Sequence, residues 1–334
     1  MVSFSAMPPT RALAAPATSA PTEPVLSLVI AAFAAVYIIW GSTYLAILWV
    51  IESIPPLLMA SGRFLFAGAL LYAWMRLRGT PRPTAEQWRA AVIAGALMLA
   101  GGNGAVVVAE QWVPSGLTAL LVAAVPLWLV VLDATVGSRA KPSPRAQIGL
   151  LVGFAGVMLL VGAPGIEAGG SRALLGALLV TVGSVSWAGG SLYLRSAAKP
   201  SSALLLVSMQ MLGGGVVLGA MSLALGEPAE FHLADVTLRS LLALVYLVIF
   251  GSLIAYTAYV WLLTVTTPAR AGTYAYVNPV IALLLGWAFA GEHVGFRAAI
   301  AAAIIVGSVF VIVSEARNVK DRTQTAQPVP TETR

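Results

Sequence analysis

The 334-residue chain is 59% hydrophobic and only 10% charged, against about 25% charged in an ordinary soluble domain, which excludes a soluble enzyme or binding module. It contains no cysteine, so disulfides and thiolate metal sites are excluded too. Its net charge of +6 is spread over short polar spacers, which argues against nucleic acid as a partner.

Residues 1–24 are rich in Pro, Ala, Ser and Thr and read as a disordered tail. They lack the basic start and short apolar stretch of a cleavable signal peptide, so the following segment is expected to stay in the mature protein. Ten apolar segments come next, at 28–50, 57–75, 88–109, 116–136 and 147–162, then 174–195, 203–225, 238–263, 271–290 and 296–314. Each reads as a transmembrane helix crossing about 30 Å of hydrocarbon. Residues 317–334, polar and carrying Pro328 and Pro330, read as a second disordered tail. The predicted fold is therefore an all-α integral membrane protein. A five-helix repeat spans 25–163 and a second spans 164–316. Five is odd, so the second copy enters the bilayer from the other side and is inverted. Inverted repeats around a midplane site are the architecture of secondary transporters.

Basic residues orient the chain. With ten crossings, fifteen lie on the side of the termini: Arg11, Arg76, Arg78, Arg82, Arg89, Arg139, Lys141, Arg145, Arg195, Lys199, Arg270, Arg317, Lys320, Arg322 and Arg334. Three, Arg172, Arg239 and Arg297, lie on the other side, and Arg63 inside a segment completes the 19. The positive-inside rule then places both tails in the cytoplasm of a cell whose plasma (inner) membrane holds the multi-pass chain.

The halves echo each other. Trp40-Gly41-Ser42-Thr43-Tyr44 in the first segment is matched by Trp187-Ala188-Gly189-Gly190-Ser191 in the sixth, and Pro114 and Pro126 frame the fourth as Pro268 and Pro279 frame the ninth. Together with Ile38-Ile39, Gly102-Asn103-Gly104, Ala109-Glu110-Gln111, Val113-Pro114-Ser115-Gly116, Tyr274-Ala275-Tyr276-Val277-Asn278-Pro279-Val280 and Gly291-Glu292, these residues carry a likeness. The chain resembles the drug/metabolite transporter superfamily, in its branch of ten-helix EamA-type exporters, most of all the YedA/YddG-like ones. One departure is that Gly137-Ser138-Arg139 ends the fourth segment where Gly291-Glu292 ends the ninth. The resemblance implies export of small metabolites, with amino acids, aromatic and other neutral ones, as the main substrate class.

Candidate site residues follow from depth and helical spacing. Tyr37, Trp40 and Tyr44 share one face of the first helix, Tyr256 and Tyr259 a face of the eighth, and Tyr274 and Asn278 a face of the ninth. Trp49, Trp74, Trp88 and Trp112 sit at segment ends, where an interfacial aromatic belt accounts for them. Trp40, Asn103, Trp187 and Asn278 lie deeper, as substrate-binding groups or as helix-to-helix hydrogen bonders. Tyr44, Tyr259 and Tyr274 join them as substrate-binding candidates. Arg63, two turns inside the second segment, is either a partner for a substrate carboxylate or a residue that snorkels outward or bonds helix carbonyls. Pro126 and Pro279 each remove a backbone donor at mid-helix, marking hinges or packing kinks.

Other charged residues are given peripheral roles. Asp133 is expected to pair with the basic loop at Arg139, while Glu110, Glu292, His232 and His293 belong to loop edges on the external side. Gly149 and Gly153 in the fifth segment, with Ala299, Ala303 and Gly307 in the tenth, have small-xxx-small spacing suited to packing within the chain or against a second copy, leaving a monomer or weak homodimer. No zinc, nucleophile-elbow or Walker pattern is present, so neither a cofactor nor an enzyme is expected. The reading that results is a secondary transporter for small amphipathic molecules, working by alternating access. Because the segment centres lack Asp, Glu and His, transport is expected to be uncoupled, with a proton-coupled antiporter as the alternative and a membrane-embedded enzyme behind it.

Overall fold

The computed structural model describes residues 26–136, 143–161, 170–200, 202–266 and 273–325. These form ten long helices, a short helix at Glu227–Glu230 and a 3₁₀ turn at Leu233–Asp235, and, among the described residues, no strand. The long helices are α1 (Leu26–Ile51), α2 (Pro56–Leu77), α3 (Ala85–Ala109), α4 (Ser115–Thr135), α5 (Pro144–Val161), α6 (Gly170–Ser196), α7 (Ala203–Ala224), α8 (238–265), α9 (Tyr274–Ala290) and α10 (Phe296–Thr325). Seven are long and apolar enough to cross a membrane, while α5, α9 and α10 carry shorter apolar stretches. Large apolar side chains such as Phe66, Leu151, Leu223 and Leu284 point outward, the surface of a bundle solvated by lipid. The last helix runs to Thr325, past the boundary expected at 316. Glu315, Ala316, Arg317 and Lys320 are all good helix formers that continue it.

Pairing among the helices repeats when the halves are exchanged. α1 packs on α8 and α9, just as α6 packs on α3 and α4; α2 packs on α8 as α7 packs on α3. The pairs α2 with α7, α4 with α9 and α5 with α10 map onto themselves and lie along the pseudo-symmetry axis. With five helices per unit, that exchange turns the second unit over. The fold is thus a ten-helix membrane bundle of two inverted repeats, as the segment count predicts. Glycine sets the closest approach. A Cβ on Gly95 of α3 would stand 2.3 Å from the Gln210 carbonyl, and one on Gly214 of α7 would stand 2.8 Å from the Gly95 carbonyl, so the two backbones touch directly.

Helix starts are capped in two ways. Thr84, Ser202 and Thr237 accept the N–H of residues three on at the heads of α3, α7 and α8, and Thr84 forms a full capping box with Gln87. Pro55 and Pro114 stand at the heads of α2 and α4 and have no side chain to offer. There the other repeat supplies a carboxylate. Glu227 accepts Leu57 N–H at 3.1 Å, Leu58 N–H at 2.7 Å and the Ser222 hydroxyl at 2.7 Å. Glu292 accepts Ser115 N–H at 2.6 Å and Gly116 N–H at 3.0 Å. Each carboxylate meets the positive end of a helix, so these two residues clamp the repeats together and are more than loop edges. Replacing Glu227 by alanine should cost about 2–3 kcal/mol, because it orphans buried donors that bonded a charge. A melting temperature in detergent equal to that of the unaltered protein would show the clamp to be inert.

The small-residue stripes divide. Gly153 faces Ser308 and Leu127, and Gly156 faces Ile304 and Ile305, so α5 uses its small residues to approach α10. On α10 the contacting face is Ala301, Ile305 and Ser308, which are buried, whereas Ala299, Ala303 and Gly307 are exposed. The expected stripe on α10 therefore faces away from α5, because the three residues lie on the opposite side of the helix from Ile305.

Candidate functional site

Two helices depart from α geometry at the same place in each repeat. α3 passes through a π-helical segment at Ala96–Asn103, and α8 through one at Leu247–Ala255. Each admits extra chain into a turn, so the residues that follow are rotated relative to an unbroken helix, a distortion common at functional sites. Glycine is present in both, as Gly101-Gly102 and as Gly251. Between these segments lies a mid-bundle cavity of about 100 Å³. One water needs roughly 10–15 Å³ on this measure, so the space suits a small solute rather than a chain.

Six of the seven substrate-binding candidates line it: Trp40, Tyr44, Asn103, Trp187, Tyr274 and Asn278. Trp40 organises the wall. Its ring lies 5.0 Å from Tyr259, 5.2 Å from Tyr274, 6.3 Å from Tyr256 and 6.5 Å from Trp187 between centroids, and its Nε1 donates to the Gly251 carbonyl at 3.3 Å. Tyr259 stands behind Trp40 and Tyr274 and is not part of the lining. It supports the aromatic wall, because the helix face it shares with Tyr256 turns past the cavity. Asn278 is buried with its amide nitrogen turned toward the carbonyls of Tyr274 and Tyr37, 3.2 Å from each. That geometry joins α9 to α1, so the side chain both borders the cavity and bonds helix to helix.

Arg63 neither snorkels nor bonds helix carbonyls. It is 4% exposed, lines the cavity, and donates from Nε to the Ser252 hydroxyl at 2.8 Å. Its guanidinium rests on Phe64, 4.8 Å from the ring centre. Gly251 makes the space, since a Cβ there would stand 2.9 Å from Arg63 Nη2 and 3.2 Å from Thr43. Nη1 has no hydrogen-bond partner among the described residues, nor do Asn103 Oδ1 and Ser184 Oγ in the same wall. A buried polar atom without a partner is costly, and three around one space make this cavity the candidate binding site. Among the described residues, no carboxylate or imidazole is in the lining.

The two prolines behave differently. α4 is interrupted by a turn at Ala123 and Ala124 just before Pro126, and restarts at Val125. Pro279 lies inside an uninterrupted α9, so the symmetric pair of breaks expected from sequence is present in one repeat only. What recurs in both repeats is the π segment, and no proline marks it. Asp133 accepts from Arg195 Nη1 of α6 at 2.8 Å; Arg139, its expected partner, lies outside the described residues. Thr43, Ser184, Gly251 and Ser252 are lining residues not expected from sequence as site residues, while Tyr256, expected on a face shared with Tyr259, does line the cavity.

A family model for the EamA-like transporter family matches residues 26–162 and again 174–314. The chain is 41% identical over 281 residues to the Escherichia coli K12 protein described as uncharacterized inner membrane transporter YedA, covering 83% of this chain and 88% of that one. It is 25% identical over 281 residues to a chloroplastic WAT1-related protein of Arabidopsis thaliana, covering 83% and 67%. One crystal structure, 22% identical, shares the fold with a TM-score of 0.60 over 87% of this chain and 99% of the other.

Proposed function

The chain belongs to the EamA-like transporter family and is a membrane transporter, and we propose that it exports small amphipathic solutes bearing a carboxylate, amino acids foremost, across the plasma (inner) membrane. The observation that carries this reading is the buried guanidinium of Arg63, with one nitrogen unspent, facing an aromatic wall. A carboxylate matches the fork of a guanidinium, and an apolar or aromatic side chain matches Trp40, Tyr274 and Trp187. A cationic solute would meet uncompensated positive charge there, which disfavours basic drugs. The relevant unit is the cavity between two inverted repeats, opened to one side at a time.

Both termini are assigned to the cytoplasm, so the end of the bundle where α1 finishes, α2 begins and α3 turns into α4 is external. Cysteines introduced singly as Lys141→Cys or Lys199→Cys into this cysteine-free chain should label from the cytoplasmic side only. Labelling from outside would overturn the orientation.

Among the described residues the lining holds no carboxyl or imidazole to carry a proton, and on this reading the solute moves down its own gradient. Counterflow of neutral amino acids in proteoliposomes should proceed without an imposed pH or Na⁺ gradient. A strict requirement for either would sink that part of the reading, and absence of flux for every carboxylate-bearing solute would sink the substrate class.

A further inference from the structure

The turn between α3 and α4 holds a carboxyl group that the cavity does not use. Glu110 ends α3, one residue past the membrane-spanning helix Ala85–Ala109, and is 3% exposed. Neither of its carboxyl oxygens has a hydrogen-bond partner among the described residues. The packing around it is tight: Ala109, Val113, Ser115 and Thr118 are each 1% exposed or less. Close by is Glu292, held by two backbone N–H groups at the head of α4. A charged carboxylate buried there beside a second carboxyl group would be costly, because a buried carboxylate needs partners. Cations do not relieve it. Among the described residues Glu110 forms no ion pair: Arg63 on α2 donates from Nε to Ser252, and Arg172 on α6 is exposed. From α1 comes Tyr44, a lining residue of the cavity.

We propose that Glu110 is a proton-binding site that locks this end of the bundle shut, protonated while the turn is packed and released when the turn opens to water. Burial first, and Glu292 second, push its carboxyl well above the usual range. Once exposed, the same group returns to an ordinary value of about 4.3. A group whose pKa is raised in the packed state favours that state fully below the exposed value. The bias falls away as pH rises to the buried value, by up to roughly tenfold in the equilibrium per pH unit. Glu110 stands at one end of the bundle only, so its proton enters and leaves from that side and does not cross with the solute. Acid on that side holds the gate closed. This inference rests on the proposed orientation for one point alone, that the side in question is external.

Two measurements on the full chain in lipid test it without any transported solute. Infrared spectra across a pH series should contain the carbonyl band of a protonated acid that persists above the ordinary carboxylate range, is missing in Glu110→Gln, and disappears at lower pH in Glu292→Gln. In Thr118→Cys protein, whose thiol is buried while the end is packed, the labelling rate on that side, divided by that of a permanently exposed cysteine at the same pH to remove the thiolate's own pH dependence, should rise with pH by up to roughly tenfold per unit within the window. In the same background, Glu110→Gln should label slowly at all pH. A band unchanged in Glu110→Gln, or labelling with the same pH dependence in both proteins, overturns the proposal. Labelling that answers to Na⁺ and not to pH overturns it in favour of a cation site. Should Glu110→Gln fail to fold, the shift caused by Glu292→Gln decides alone, and no shift means no site.

Discussion

Arg63→Met should lower the affinity for a carboxylate-bearing solute by about thirtyfold or more, because truncating one partner of a buried charge pair costs about 2–5 kcal/mol. The same substitution should leave the melting temperature of the empty protein unchanged or higher. A charge kept desolvated with an unspent nitrogen destabilises the empty state, and an apolar side chain of similar reach removes that cost. Loss of binding without loss of stability separates a ligand-binding role from a structural one; if Arg63 served only to tie α2 to Ser252 of α8, both would fall together. Arg63→Lys keeps the charge but not the planar fork and should bind at an intermediate level. Equilibrium binding and melting curves on the purified protein read out all three variants. Equal loss for solutes with and without a carboxylate would contradict the assignment.

Trp40→Ala is expected to have the other large effect, of a different kind. It deletes the ring against which Tyr256, Tyr259, Tyr274 and Trp187 pack, and truncating such a tryptophan costs about 3–5 kcal/mol of stability. Trp40→Phe is the cleaner probe of binding. It retains an aromatic face and loses the indole N–H that holds the Gly251 carbonyl, so affinity should fall about five- to tenfold with a smaller stability loss. Trp49 and Trp88 make the controls, since one lies against Arg239 and the other against Tyr72, outside the cavity. Phenylalanine at either should leave binding unchanged. If all three positions respond alike in folded protein, Trp40 is a packing residue and the cavity wall has been misassigned.

Glu110 shows how position along a chain misleads. In sequence it lies between an apolar segment and the polar residues Gln111 and Ser115, the signature of a loop edge, and the packing of α6 against the end of α3 helps to bury it. Pro126 and Pro279 mislead in a similar way. Loss of one backbone donor is legible from sequence, but whether the chain answers with a kink or a break depends on neighbouring helices. α4 breaks and α9 does not.

The number of helices, their duplication and inversion, and the membrane as solvent were determined by the sequence itself, because hydrophobic length is a local quantity and an odd repeat count forces the inversion. The deep aromatic residues were legible for the same reason. Trp40 and Trp187 are too large and too far from both interfaces to be spread among lipid-facing positions without purpose. Tertiary structure alone decided that Arg63 points inward onto Ser252, that Tyr259 stands behind the wall, that Ala299, Ala303 and Gly307 face away from α5, and that Glu110 is closed off from water. Those outcomes depend on rotation about each helix axis. Helical periodicity reads rotation correctly only while 3.6 residues make every turn, and the π segments in α3 and α8 break that rule where the cavity forms. They also depend on which neighbour fills the space opposite, as Gly251 does by leaving room for a guanidinium, and no single segment carries that information.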